Sequence, residues 1–394
     1  MNDRIQSIDI FRGMTMLLMV WVNDFWSLTD IPHWLEHMAY DEDALGFSDV
    51  IFPAFLFIVG LSIPFANRAR QKKAQNRIEI AYHIIIRSAS LILMGVLMVN
   101  LESYHEASAF LPRPIWQIAM ALGFFLIWNV YPKGEDWRSK RILLKSAGWL
   151  VLATITALFR SDPESGYNWI EPHWWGILGL IGWSYLICAL LQLFTGEKIL
   201  PIAIAWIGLV LFNIASFAGW LDFLSPVKSY IWIVGDASLP ALTMAGCFAS
   251  LLYLHPSTKQ KPLQYCFSLL ALGLLCLFVG VLLRPYWGIS KILATPAWTE
   301  ICTGIGFVAF SVLFWIADIK KATRWASFLN PAGTATLTCY LLPYFVYAIF
   351  IMSGFKLPPA LTTGTIGLAT SMLFALAIVY ATGILNRFKI RLAL

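Results

Sequence analysis

The chain is 394 residues long, 59% hydrophobic and only 13% charged, with a mean hydropathy of +0.71. A soluble domain carries about 25% charged residues, so this composition excludes an ordinary water-facing fold and leaves a chain that presents most of its surface to lipid. The net charge of +6 is distributed as a topology signal along the loops, and no nucleic-acid partner is expected from it.

An apolar helix of about 20 residues crosses the hydrocarbon of a bilayer. In chain order, runs that reach or approach this length occupy 10–28, 47–66, 82–101, 113–131, 143–160, 174–195, 200–218, 239–254, 265–283, 298–318, 330–352 and 362–385. The runs 143–160 and 239–254 are the shortest in apolar content, so the expectation is ten to twelve transmembrane helices. They form one all-α polytopic membrane bundle over residues 1–394, without a soluble domain.

Lys and Arg stay preferentially in cytoplasmic loops. Alternate connections hold Arg68, Arg70, Lys72, Lys73 and Arg77; then Lys133, Arg138, Lys140, Arg141 and Lys145; then Lys198, Lys259, Lys261, Lys320, Lys321 and Arg324; and finally Arg387, Lys389 and Arg391. The intervening loops carry little, with Arg113, Lys228, Arg284, Lys291 and Lys356 spread among them, and Arg4 ahead of the first span agrees. Both termini are therefore expected in the cytoplasm, in a multi-pass protein of a bacterial inner membrane. The basic loops would also favour anionic lipid headgroups. The first apolar run is long, contains Asn23 and Asp24, and is followed by no small-x-small site, so it reads as a retained span rather than a signal peptide. Cys188, Cys247, Cys266, Cys276, Cys302 and Cys339 lie inside apolar segments and read as small buried hydrophobes.

Ionisable residues in or beside spans are the strongest functional pointers in such a chain, because lipid disfavours them. At the start, Asp9 and Arg12 stand three apart and share a helix face, either as an ion pair at a helix end or as a site. Asn23 closes the first span at its outer end. The following loop brings His33 and His37 together with Glu36, Asp41, Glu42, Asp43 and Asp49. A histidine among carboxylates can serve as acid, base or nucleophile near neutral pH, and it can equally be a solvated surface residue. Asp49 opens the next helix, where the helix dipole favours a carboxylate. His33, Glu36 and His37 also match the inverted zinc-protease pattern H-x-x-E-H. Pro32 precedes it and no distant third ligand stands out beyond Glu171 or His173, so no metal is expected. Arg87 near the inner end of the third span and Arg113 at the outer mouth of the fourth could each hold a phosphate or carboxylate, or simply snorkel. Arg284 and Lys291 stand outside against the topological bias, in a loop bounded by Pro285 and Pro296. The eighteen tryptophans read as an interfacial aromatic belt or, in the outward loops 161–175, 219–239 and 284–298, as surfaces on which sugar rings stack.

These segments together resemble the transmembrane acyltransferase family of the heparan-alpha-glucosaminide N-acetyltransferases and their bacterial relatives. The family's opening S-x-D-x-x-R-G and a helix ending V-N stand here as Ser7, Asp9, Arg12, Gly13, Val22 and Asn23. Its histidine followed by D-x-x-F-P-x-F-x-F-I-x-G-x-S-I appears as His37, then Asp49, Phe52, Pro53, Phe55, Phe57, Ile58, Gly60, Ser62 and Ile63. Arg87, Ser88 and Gly95 match a third-span pattern, and Asn330 with Tyr340 matches a late one. The resemblance implies that cytoplasmic acetyl-CoA gives its acetyl group to an amino sugar or glycan on the outer side. It further implies that His37 is catalytic with Asn23 assisting, and that the protein is a homodimer. The chain departs from the family between His37 and Asp49, where the stretch is two residues longer than usual and reads Met38–Asp43 in place of the family's tryptophan and asparagine, and in Ile118, where an arginine is common. Donor or acceptor preference is expected to differ accordingly.

Acyl transfer from a thioester needs a nucleophile or base and donors for the developing oxyanion. The expected machinery is therefore His37 as base or acetyl carrier, Asn23 as amide donor, and Asp49 orienting the imidazole. Asp9, Arg12, Arg87, Arg113, Arg284, Lys291 and Asn330 are the candidates to hold acetyl-CoA or the acceptor. The alternatives are a transporter of an amino sugar, muropeptide or lipid-linked glycan, and a structural partner in envelope biogenesis. No internal repeat of the transporter kind is visible in the sequence.

Overall fold

A helix forms at each of the twelve predicted apolar runs. The computed structural model describes residues 5–73, 75–161, 168–228 and 232–394. Arg4 and parts of two loops expected on the outer side, 162–167 and 229–231, lie outside the described residues. The long helices are α1 (Gln6–Asn23), α2 (Ser48–Gln71), α3 (Arg77–Val99), α4 (Arg113–Trp128), α5 (Arg138–Ala157) and α6 (Gly176–Thr195). They continue as α7 (Ile199–Phe217), α8 (Ser238–Leu254), α9 (Pro262–Trp287), α10 (Pro296–Phe314), α11 (Thr336–Ser353) and α12 (Gly364–Arg387). No β-strand is formed among the described residues, and only isolated bridges occur. Among the described residues, nine helical spans are long and apolar enough to cross a membrane, α8 being counted from Val234 and α10 to Ile319. The other three fall short for local reasons: α1 carries Asp9 and Arg12, α4 has 16 residues, and α5 opens on Arg138, Lys140, Arg141 and Lys145.

Contacts between helix ends sort the bundle into two faces. On one, Gln6 N and Ser7 N, at the start of α1, donate to the two carboxylate oxygens of Asp318 beyond α10, at 2.9 and 3.0 Å. This carboxylate satisfies orphan amides at a positive helix terminus. The end of α4 meets the chain beyond α12 on the same face, where Val130 N donates to Arg391 O at 2.9 Å. Arg68, at the end of α2, pairs there with Glu197 at 3.4 Å. The basic residues concentrate on this face, in agreement with the charge pattern. The opposite face joins the end of α1 to the start of α12 through Thr29 and Thr363, and it carries the loops that follow α1 and α9.

The hydropathy of each helix follows its place. α8 is central, with fourteen of its seventeen residues buried, and it is built from small and weakly polar side chains. The peripheral α9 buries five of its described residues, Tyr265, Leu269, Gly273, Cys276 and Gly280, and turns long apolar side chains outward. Without a hydrophobic force between helices in lipid, close approach through small residues does the packing. At the crossing of α2 and α8 a methyl on Gly60 would overlap the Thr243 carbonyl, and one on Gly246 would overlap the Phe57 carbonyl. These two glycines fix α2, the helix that begins with Asp49, against the centre of the bundle.

Arg12 adds a polar tie at the core. Its guanidinium donates to Ser62 Oγ of α2 at 2.7 Å and to the Gly333 carbonyl at 3.3 Å, and it lies 3.5 Å from Asp9. The predicted Asp9–Arg12 pair thus forms, and it also joins α1 to α2 and to the short helix Asn330–Thr334.

Candidate active site

The loop between α1 and α2 is organised by the first turn of α2. Ser48 Oγ donates to the Leu35 carbonyl at 2.6 Å, and Asp49 N donates to the Gly46 carbonyl at 3.1 Å. The Asp49 side chain is 2% exposed, which is tolerable only because each of its oxygens is used. Oδ2 accepts from two backbone amides, Met38 N at 3.1 Å and Gly46 N at 3.2 Å, while Oδ1 lies 2.8 Å from His37 Nδ1. Gly46 is required by this turn, since a Cβ there would overlap the Glu36 carbonyl. The imidazole of His37 is 46% exposed. Its Nδ1 side is held by the protein, and Nε2 is the nitrogen left for a reactant.

The loop after α9 clamps this loop from above. Arg284 donates through Nε to both carboxylate oxygens of Asp43, at 3.0 and 3.2 Å, and through Nη2 to the Asp43 carbonyl. Asp43 Oδ1 also accepts from Ile289 N at 2.6 Å. Burial works to raise the pKa of Asp43, but the Ile289 amide and the Arg284 guanidinium outweigh it and hold the carboxyl below its ordinary value. Ser290 Oγ reaches the Tyr40 carbonyl, and Trp298 Nε1 of α10 donates to the Asp49 carbonyl at 3.3 Å. The clamp delivers Lys291, whose Nζ lies 3.0 Å from His37 Nδ1 and 3.7 Å from Asp49 Oδ1. Burial pulls the pKa of Lys291 below the usual lysine value, and the Asp49 carboxylate opposes that shift.

His33 has a different setting. Its Nε2 lies 2.9 Å from Glu42 and its Nδ1 3.3 Å from Glu36, all on exposed side chains. These bonds, that to Glu42 foremost, hold its pKa above the ordinary histidine value. The H-x-x-E-H pattern therefore does not converge: His33 turns to Glu36 and Glu42, and His37 to Asp49 and Lys291. Among the described residues no group of three His, Cys, Asp or Glu side chains gathers as for a metal ion.

The structure thus joins His37, Asp49 and Lys291, and it brings Arg284 nearby through Asp43. Asn23 is exposed at the end of α1 on the same face, and the neighbouring Asp24 accepts from Tyr347 Oη at 2.7 Å. Arg113 is exposed at the start of α4, and Asn330 is exposed at the opposite face of the bundle. Arg87 sits apart from His37. Its guanidinium stacks over Tyr185, 4.7 Å from the ring centroid, and its Nε is buried without a hydrogen-bond partner. It projects into a cavity of about 250 Å³ walled by Met16, Met19, Phe55, Ile181 and Tyr340, with the chain at Leu392–Leu394 also lining it. From the sequence alone Lys291 reads only as a ligand-binding cation, and Asp43 and Asp318 carry no role. Two cations in a loop set otherwise poor in positive charge are the signal for Lys291, but its partner is not readable across the 254 positions that separate it from His37.

Comparison with known proteins bears out the resemblance for the first quarter of the chain. Residues 4–111 match the family model described as heparan-alpha-glucosaminide N-acetyltransferase, catalytic. The heparan-alpha-glucosaminide N-acetyltransferase of Mus musculus is 30% identical over 102 residues, and that of Homo sapiens 31% identical over 101. The aligned stretch covers 25% of this chain and 14% of each of those relatives. The residues matched by the family model contain α1, the loop with His37, α2 and α3.

Proposed function

We propose that this protein is a membrane-embedded acyltransferase that moves an acetyl group from cytoplasmic acetyl-CoA to an amino sugar or glycan on the outer side of a bacterial inner membrane. The observation that carries this reading is the His37–Asp49 pair. A buried carboxylate orients one ring nitrogen and leaves the other exposed, inside residues 4–111, the stretch that matches the family model.

The chemistry follows from the geometry. With Nδ1 held by Asp49, Nε2 takes a proton from the acceptor amine as its nitrogen attacks the acetyl carbonyl. The new C–N bond forms, the C–S bond breaks, and the thiolate of CoA leaves. The same lone pair on Nε2 can instead attack the thioester first and carry the acetyl group to the acceptor in a second step. In either route Asn23 supplies an amide N–H to the carbonyl oxygen as charge develops on it. The pantetheine arm enters from the basic face and passes the apolar cavity beside Arg87, whose guanidinium is the cation there for a phosphate or carbonyl. Arg12 and Arg284 act by holding the frame, through Ser62 and Asp43.

The test is release of free CoA from acetyl-CoA by purified, detergent-solubilised protein, with and without glucosamine. Acceptor-stimulated release is expected, with a loss of about 10²–10⁴-fold in His37→Ala, the usual range for a general acid–base group. Full activity in a well-folded His37→Ala variant would remove His37 from the reaction.

A further inference from the structure

Two groups contend for one atom in the site, and only one can be served at a time. Asp49 Oδ1 lies 2.8 Å from His37 Nδ1, and Lys291 Nζ lies 3.0 Å from the same nitrogen. A ring nitrogen has a single in-plane position, occupied by a hydrogen or by a lone pair. An ionised carboxylate only accepts hydrogen bonds, and an ammonium only donates them. A proton on Nδ1 therefore satisfies Asp49 and leaves the lone pair on Nε2. A bare Nδ1 satisfies the Lys291 ammonium and places the proton on Nε2, where it blocks attack.

We propose that Lys291 is a positioning residue which competes with Asp49 for Nδ1 of His37 and so selects which ring nitrogen carries the imidazole proton. The proposal deepens the function given above and rests on Nε2 of His37 being the reacting atom.

The surroundings support this role over that of a free cation awaiting a ligand. Lys291 is held in a short turn: Ala294 N donates to the Lys291 carbonyl at 3.1 Å, and Ser290 N donates to Thr295 Oγ1 at 3.0 Å. Its side chain is 25% exposed, so it is not a mobile surface lysine. The other charged groups nearby are engaged elsewhere, Arg284 with Asp43 and His33 with Glu36 and Glu42. Among the described residues, Cys302 of α10 is a further titratable group close enough to act electrostatically on Asp49 and Lys291. Burial brings the titration of Lys291 below that of a surface lysine. Once neutral, the amine ceases to be an obligatory donor, and Nδ1 passes to Asp49. The form with a bare Nε2 therefore grows as pH rises through that titration.

The direct probe is diethyl pyrocarbonate, which acylates an unprotonated ring nitrogen and needs neither acetyl-CoA nor acceptor. Acylation of His37 in the full-length protein in detergent is followed by mass spectrometry of its peptide as a function of pH. Below the Lys291 titration, Lys291→Met is expected to react about fivefold faster than wild type, the factor one ordinary hydrogen bond is worth. Wild type should approach that rate as pH rises. Lys291→Arg, whose guanidinium keeps its proton, should stay slow throughout and covers the case in which the methionine variant fails to fold. Equal rates for wild type and Lys291→Met at every pH, or a Lys291→Arg curve that rises with wild type, would overturn the proposal. A loss of CoA release in His37→Ala beside unchanged acylation in Lys291→Met sinks the role of Lys291 alone. Faster acylation in Lys291→Met, with no acceptor-stimulated CoA release from wild type, sinks the acetyltransfer reading and leaves the proton selection standing.

Discussion

Four positions apart in one loop, His33 and His37 each hold a carboxylate, yet their settings differ in the respect that matters for chemistry. His33 lies between Glu36 and Glu42 with all three side chains exposed. His37 meets a carboxylate that is 2% exposed and is itself fixed by two backbone amides. An exposed pair gains little from its charge, because water screens it and both partners lose rotamer freedom. A buried, fully bonded carboxylate cannot turn away, so it determines the orientation of the ring that meets it. A cluster of acidic residues around a histidine is therefore a weak signal by itself. What separates the two histidines is the order of the carboxylate's own shell.

The contrast is broken most directly at Asp49. Asp49→Asn keeps the volume but removes the acceptor-only character of the side chain, and its amide can present a donor to Nδ1 and place the wrong nitrogen forward. We expect acceptor-stimulated CoA release to fall by about 10²–10⁴-fold, in the range seen when an orienting aspartate or its histidine is lost, with helical content by circular dichroism unchanged. A fall of less than threefold would mean that the carboxylate is structural and does not act on the imidazole.

A smaller effect is expected one layer outward. Arg284→Ala removes the grip on Asp43 without touching His37, and the side chains of this pair are 49% and 51% exposed. An exposed pair contributes about 0.2–1 kcal/mol, so the thermal midpoint in detergent should hardly move. Activity should drop by less than tenfold, because Ile289 N and Ser290 Oγ still fasten the two loops together. A loss as large as that of Asp49→Asn would show that Arg284 meets the substrate.

Much of this arrangement was legible in the sequence, for identifiable reasons. Lipid requires long apolar helices, so all twelve runs can be placed, and α8 reads as marginal because a central helix interleaves small residues such as Ala241, Ala245 and Gly246 among its leucines. His37 and Asp49 were readable because both fall within one short stretch, and the turn through Gly46 joins them. Lys291 and Asp318 could be seen as charged residues but not as partners. Asp318 caps α1 from 311 positions away, and such pairings are set by how helices pack, which local spacing does not record. Arg12 is readable as a pair with Asp9, since residues three apart share a helix face, whereas its bond to Ser62 of α2 is not.

The smallest effect belongs to His33, and its sign distinguishes the two histidines most cleanly. Its pKa is raised above the ordinary 6.5 by the hydrogen bonds to Glu42 and Glu36. A group whose pKa is higher folded than unfolded binds its proton more tightly in the native state. Its stabilising contribution is thus fully present below pH 6.5 and is lost as pH rises through the raised value. His33→Gln should therefore lower the thermal midpoint slightly in mildly acidic buffer and leave it unchanged at pH 9, with wild type and variant melted side by side. Because the group is fully exposed, 1 M salt should erase the acidic difference as well, since the Debye length falls to about 3 Å. CoA release should be unaffected by His33→Gln at either pH. A large loss of activity would instead mean that the two histidines act as one unit and that the shell around Asp49 is not what sets His37 apart.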